Sequence, residues 1–211
     1  MNIASFCFNL FAENTYVLWN SKNECIIVDP GCSSPDEEQE LANFISEKQL
    51  TPVLLLNTHC HVDHILGNYF VVNTYRVPFW VHQDDLRLLQ QGPVQAHYFG
   101  ISLLPSPEPT AFIEINKPIQ VGSLALSVFY SPGHSPGSVC FWNAPENYIL
   151  SGDVLFAGSI GRTDLPGGSY PVLMQSLQKL IQQLPPETVV FPGHGQKTTI
   201  QHEIKHNPFL N

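Results

Sequence analysis

Short runs of alternating apolar and polar residues, each closed by turn formers, open the chain. Phe6, Phe8 and Leu10 alternate with Cys7 and Asn9, and residues 15–19 and 25–28 are further apolar runs bounded by Asn, Ser, Lys or Gly. Patterning of this kind predicts strands in a meander. At Ser34, Pro35, Asp36 and Glu37 the signal changes. Ser34 suits a helix cap, Pro35 a first turn, and Glu37 the return arm of a capping box. Leu41, Phe44 and Ile45 follow at helical spacing, so this helix packs one face on a sheet.

Residues 53–56 read as a strand buried on both sides, 79–81 as another, and 84–90 as a short helix. Residues 92–110 are rich in Pro, Gly and Ser and carry no period. They read as one long loop, a length that compact domains use for function or leave disordered. Strands are predicted at 124–130, 138–142, 148–150 and 188–191. Leu173, Leu177, Leu180, Ile181 and Leu184 predict a helix with one apolar stripe. A last helix is expected after a capping box at Thr198, Thr199, Ile200 and Gln201, ending before Pro208. A sheet-on-sheet core with helices outside, an α+β arrangement, buries every one of these apolar faces.

The length, 211 residues, suits one domain spanning 1–211. The longest apolar runs are far too short to cross a membrane, and the first residues show no basic segment followed by an apolar stretch. No membrane partner and a cytoplasmic location are therefore expected. The net charge of −9 argues against nucleic acid, whose binding needs clustered Lys and Arg. Cys7, Cys25, Cys32, Cys60 and Cys140 are odd in number and form no Cys-x-x-Cys pair. Neither a disulfide framework nor a thiolate zinc site is indicated. They read as small buried hydrophobes, with Cys60, between two candidate ligands, the one to watch.

The chemistry concentrates just after the 53–56 strand, in His59-x-His61-x-Asp63-His64. On a strand end His59 and His61 point to the same side. A turn after them swings Asp63 and His64 toward a second point nearby, so the spacing suits two adjacent metal ions. His134, Asp153 and His194 complete the set, each after an apolar run and each flanked by Gly, which lets backbone approach a site closely. A single His-x-His is as readily a satisfied strand pair, and a lone Gly-His a polar turn. The joint pattern of seven imidazole and carboxylate groups is what points to metal. Without thiolates the set suits Zn, Fe or Mn, and two divalent ions are expected, with Zn the first choice. His82, His97, His202 and His206 fall outside the pattern and read as solvent-facing or loop residues.

The series His59-x-His61-x-Asp63-His64, His134, Asp153, His194 resembles the metallo-β-lactamase superfamily. The likeness runs from the Val28-Asp29-Pro30-Gly31 turn to Gly193-His194-Gly195, nearly the whole chain. It implies a four-layer αβ/βα sandwich with the metals at one edge. One ion would take His59, His61 and His134, the other Asp63, His64 and His194, with Asp153 bridging. Within the superfamily, the stretch from Asp153 through Gly161, Arg162, Thr163 and Asp164 is most similar to the short, single-domain members of the glyoxalase II (hydroxyacylglutathione hydrolase) branch. Typical members carry a C-terminal helical domain that helps hold glutathione. This chain stops soon after His194, so that domain is expected to be absent.

The likeness implies hydrolysis of a small-molecule thioester such as S-lactoylglutathione through a metal-bridging hydroxide. Two metals about 3.5–4 Å apart generate hydroxide at neutral pH and polarise a carbonyl, and they stabilise the developing oxyanion. A thiol of pKa about 8.5 leaves without a strong general acid. Asp63 is the expected catalytic residue, orienting the hydroxide. Arg162 is the expected substrate-binding residue, its fork of donors suiting a carboxylate. The competing reading makes Arg162 and Asp164 a buried ion pair holding the 158–168 loop. Asp29 reads as a support that orients a ligand or backbone group or as a turn cap, and Tyr98 and Tyr170 as residues of the entrance. Two other enzymatic outcomes share the fold: a sulfur (persulfide) dioxygenase with one iron on His59, His134 and Asp153, and a lactone or ester hydrolase. A non-enzymatic metal-binding module is the alternative of another class, although closed zinc sites usually saturate four ligands, often with Cys. A β-lactamase role is disfavoured by the lack of an export signal, and a ribonuclease role by acidity.

Overall fold

The computed structural model describes residues 2–210. β1 (Asn2–Phe8), β2 (Glu13–Trp19) and β3 (Glu24–Val28) form the expected antiparallel meander. β4 (Thr51–Leu56), β5 (Phe79–Val81) and β6 (Ala111–Phe112) extend it in parallel, in the order β1-β2-β3-β4-β5-β6. Parallel neighbours need crossovers. These are α1 (Pro35–Glu47), then α2 (Val62–Ile65) with α3 (Asn68–Tyr75), then α4 (Leu86–Gln90) with α5 (Gly92–Tyr98).

The second sheet draws on β7 (Ile119–Val121), β8 (Leu124–Tyr130), β9 (Val139–Asn143) and β10 (Tyr148–Gly152), all antiparallel neighbours. β11 (Leu155–Phe156) and β12 (Ser159–Ile160) form a small separate hairpin, and α6 (Tyr170–Gln183) then crosses to β13 (Val189–Pro192), which lies parallel to β10. β14 (Thr198–Thr199) completes the order β14-β13-β10-β9-β8-β7, and α7 (Ile200–His206) follows.

Strand alternation decides which layer each residue enters. Leu18, Ile26, Val28, Leu54 and Leu56 of the first sheet meet Leu126, Val139, Phe141 and Leu150 of the second in the middle layer. The intervening Val17, Ile27 and Leu55 face outward onto Leu41, Ile45 and Val71 of α1 and α3. On the far side Cys140, Ile149 and Val190 pack under Leu173, Leu177 and Leu180 of α6 and Ile200 of α7. The result is the expected αβ/βα sandwich. No helix of the described residues is long and apolar enough to cross a membrane.

Several local expectations are corrected. β1 stops at Phe8, and Leu10 lies in a turn with Asn9 and Ala12 at φ 55. The turn is held because Asn9 Nδ2 donates to the carbonyls of Gly31 and Asp63. The 92–110 segment is not one loop. It begins with α5, where Pro93 sits in the first turn, the position that tolerates it, and Ala96 packs on Val62 and Leu66. Gly100 at φ 70 follows α5. At α1, Ser34 accepts from Glu37 N as expected, but the Glu37 carboxylate reaches the backbone N of Ser33 and Asn9 instead of Ser34. The cap of α7 is Thr199, which accepts from His202 N; Thr198 belongs to β14 and donates to Glu203.

β8, β10 and β13 point the same way, so their C-terminal ends share one edge of the second sheet. That edge is sewn to the first sheet by Val139 N to Thr58 O (2.9 Å), Asn14 N to Gly193 O (2.7 Å) and the Tyr16 hydroxyl to Pro192 O (2.6 Å). Because Leu150 is fully buried in the middle layer, Leu150→Ala is expected to cost about 2–5 kcal/mol in urea denaturation, and a loss below about 1 kcal/mol contradicts this packing.

Candidate metal centre

β4 ends at Leu56 and the chain continues extended through His61 (φ −68, ψ 153) before α2 begins. His59 and His61 project from the extended part, and the turn of α2 lifts Asp63 and His64 to an adjacent point. Asp29 sits behind this loop in the left-handed region (φ 49), which Asp tolerates better than most residues. Its Oδ1 accepts from Thr58 N (2.7 Å), and its Oδ2 from Thr58 Oγ1 (2.6 Å) and from His64 Nδ1 (3.1 Å). His134 stands in the loop between β8 and β9, Asp153 follows β10, and His194 follows β13. Gly152 before Asp153 has φ +49, and a Cβ there would strike Thr58; a Cβ on Gly193 would strike Asp153 and His64. Gly152 and Gly193 are therefore required by close approach.

All seven sequence-predicted positions meet. One ligand atom each from His59, His61 and His134 lies within 4.8 Å of the others, and the same holds for Asp63, His64 and His194. Asp153 stands between the groups: its Oδ1 is 3.4 Å from His64 Nε2, and its Oδ2 is 3.4 Å from His134 Nε2 and 3.6 Å from His194 Nε2. Asp29 also lies near His59 and His64, but its oxygens are already occupied by Thr58 and His64 donors, so it supports the ligands from behind.

The hydrogen bonds around the imidazoles set their tautomers. His134 Nδ1 donates to Arg162 O (2.8 Å), His194 Nδ1 to Phe11 O (3.1 Å), and His64 Nδ1 to Asp29. His59 Nδ1 faces Thr58 Oγ1 at 3.1 Å, whose own proton goes to Asp29. In all four rings Nε2 is therefore the nitrogen that faces inward, toward a partner imidazole in His59 and His134 and toward the Asp153 and Asp63 carboxylates in His64 and His194. His134 Nε2 lies 3.2 Å from His59 Nε2 and 2.8 Å from His61 Nδ1. His64 Nε2 and Asp153 Oδ1 are buried without a hydrogen-bond partner. Buried lone pairs pointing at one another are unfavourable unless a cation collects them, and the nitrogen–oxygen donor set fits divalent metal.

The electrostatics agree. Burial, with His64 and His134 nearby, holds His59 well below the ordinary histidine range, and burial beside His134 presses His61 to about 3. Burial pushes Asp63 and Asp153 up, but His64 and its neighbouring imidazoles outweigh it and hold both carboxyls below their usual range. Burial opposes charge on His64 too, yet Asp153 and Asp63 raise it well above the ordinary value. The pocket thus favours positive charge between its two carboxylates, which a metal ion supplies in place of a proton.

Three elements were not anticipated. Asp85, fully buried, accepts from Cys60 N (2.9 Å), Ser135 Oγ (2.7 Å) and Gly137 N (2.6 Å), tying the His59–His61 loop to the His134 loop. Glu13, also fully buried, accepts from Thr15 Oγ1 and is pushed well up by burial. Asn14 Nδ2 donates to Pro192 O and Gly195 O and so holds the His194 turn. Isolated polar residues at strand ends or helix starts carry no periodic signal, and only their pairing across the fold gives them meaning. Cys60 is a buried thiol pushed well up by burial, a core residue.

A cleft of about 760 Å³ opens over the centre, lined by His61, Asp63, His134, Asp153 and His194 and by Phe11, Tyr98, Phe99, Phe156 and Leu165 among others. Tyr98 takes its expected place there, whereas Tyr170 is not among the lining residues. Arg162 lines the cleft and forms a two-pronged ion pair with Asp164 at 2.7 Å per contact. The pair is exposed rather than buried, with side chains 62% and 68% accessible, because the loop turns it to solvent. His82 is not solvent-facing: it is buried, accepts from Asp84 N and stacks on Tyr130. His97, His202 and His206 are exposed.

The profile described as Metallo-beta-lactamase superfamily matches residues 9–194. Over 213 residues the chain is 32% identical to hydroxyacylglutathione hydrolase GloC of Haemophilus influenzae, covering 100% of this chain and 99% of the relative. Its structure is similar to that of BLEG-1 B3 metallo-beta-lactamase, with a TM-score of 0.92, 36% identity and 100% of both chains covered. It is also similar to TTHA1623 in a di-iron-bound form, with a TM-score of 0.89, 33% identity, and 98% and 100% covered.

Asp85→Ala leaves three donors around the two loops unmet, each worth about 1–3 kcal/mol. The expected result is a folded but less stable protein whose metal affinity, read by chelator competition, falls about 10–100-fold; unchanged affinity contradicts the bracing role.

Proposed function

The chain belongs to the metallo-β-lactamase superfamily, has its fold and carries the His/Asp metal site of a metal-dependent hydrolase; from that premise we propose that it is a dinuclear enzyme that hydrolyses a small-molecule thioester. The observation that carries the reading is Asp153 standing between two three-residue groups at the floor of an apolar cleft. His59, His61 and His134 would hold one ion and Asp63, His64 and His194 the other, with Asp153 shared. Zinc is the first choice and iron or manganese the alternatives, iron being the metal named for a relative.

Bound divalent ions lower the pKa of water and polarise a carbonyl oxygen. The chain's own residues do the rest. Asp29 and the carbonyls of Arg162 and Phe11 fix three imidazoles so that their lone pairs stay directed. Asp63, whose Oδ2 lies 3.1 Å from His194 Nε2, accepts a hydrogen bond from the attacking water and orients it. The cleft wall excludes bulk water from the acyl group. The acyl carbon gains the water oxygen, the C–S bond breaks and a water proton ends on sulfur, giving an acid and a thiol. The thiol departs readily, its pKa being about 8.5.

The hydroxyacylglutathione hydrolase relative makes S-lactoylglutathione the first substrate to assay. The B3 metallo-beta-lactamase relative favours a second reading, opening of a β-lactam ring. Elemental analysis of purified protein is expected to find two ions per chain, with thioester turnover lost on chelation and restored by metal. One iron per chain, with oxygen uptake on glutathione persulfide and no hydrolysis, overturns the proposal. Turnover of a cephalosporin alone moves it to the second reading. In a metal-replete Asp63→Asn variant kcat is expected to fall about 10²-fold; unchanged turnover removes Asp63 from the mechanism.

A further inference from the structure

We propose that the thioester taken by this site is uncharged and apolar on both sides of the C–S bond, an aryl- or branched-acyl thioester of a small neutral thiol, in preference to a glutathione thioester. This rests on the hydrolase reading above and deepens it. Beyond the ligands, the wall of the cleft is built from Phe11, Leu88, Tyr98, Phe99, Phe156 and Leu165. A volume of about 760 Å³ suits a small molecule buried over most of its surface. Phe11 and Phe99 meet edge to face at 4.9 Å, yet Phe99 remains 54% exposed and Tyr98 82% exposed. Aromatic rings left uncovered at the rim of a pocket are surface available to an apolar ligand.

Charge points the same way. A glutathione conjugate presents two carboxylates and an ammonium, and carboxylate recognition calls for free cationic donors. Among the described residues, Arg162 is the one Lys or Arg in the lining. Its Nε and Nη2 already donate to the two oxygens of Asp164, so the cation reaches the rim with a carboxylate beside it that an incoming anion must displace or face. The other polar side chains there include the amides Gln91 and Gln95, and Gln95 already donates to Leu88 O at 3.1 Å. The chain as a whole is acidic, at −9, which adds nothing favourable for an anion. Positive charge at the metal centre acts on the reacting carbonyl, common to every thioester, so discrimination between carriers falls to this rim.

The test is a matched substrate set on the metal-loaded protein: phenylacetyl thioesters of N-acetylcysteamine and of glutathione, with S-lactoylglutathione beside them. The expected kcat/KM is at least about tenfold higher for the N-acetylcysteamine ester than for either glutathione ester, and Phe99→Ala raises its KM about fivefold while sparing kcat. Asp164→Ala, which frees the Arg162 donors, is expected to improve kcat/KM on the glutathione esters about threefold or more. Equal or better turnover of the glutathione esters by the unaltered protein overturns the apolar assignment and leaves the hydrolase reading intact. Hydrolysis of none of the three by protein holding two metals overturns the thioester reading itself.

Discussion

Five imidazoles and two carboxylates share one largely buried spot, and four of the rings aim Nε2 into it because their Nδ1 protons are held from behind. Such convergence is costly in a low-dielectric interior without a cation to receive it. Much of the architecture near the site serves to hold that arrangement in place. Asp29 in its left-handed turn, the carbonyls of Arg162 and Phe11, and the glycines beside Asp153 and His194 each help to aim a ligand.

The sandwich makes this aim stiff. Ligands come from the ends of four strands in two sheets, and a layer of buried, mainly Leu, Ile, Val and Phe side chains locks those sheets together. At the shared edge the sheets exchange backbone bonds through Val139 and Thr58 and through Asn14 and Gly193. Asp85 then ties the His59–His61 loop to the His134 loop with a single carboxylate. Displacing any one loop therefore disturbs the others, which is the condition for a preorganised site.

Where a feature was legible in the sequence, a short-range rule carried it. The apolar runs at residues 15–19 and 25–28 and the stripe from Leu173 to Leu184 are local patterns, and the observed strands and α6 follow them. The His-x-His-x-Asp-His spacing is equally local, and His134, Asp153 and His194 stood out through their flanking glycines. What escaped notice was set by tertiary contact. α5 forms where Pro, Gly and Ser suggested a loop because Ala96 has Val62 and Leu66 to pack on. Asp85, Glu13 and Asn14 look like ordinary polar residues until the fold brings their partners to them. Arg162 was read for its side chain, yet its backbone carbonyl is what orients His134.

The central claim, that two cations sit between these lone pairs, is tested most directly by anomalous X-ray diffraction from crystals of the metal-loaded protein. Two peaks about 3.5–4 Å apart are expected, one among His59, His61 and His134, the other among Asp63, His64 and His194, with Asp153 touching both. A single peak, or peaks away from these side chains, contradicts the account.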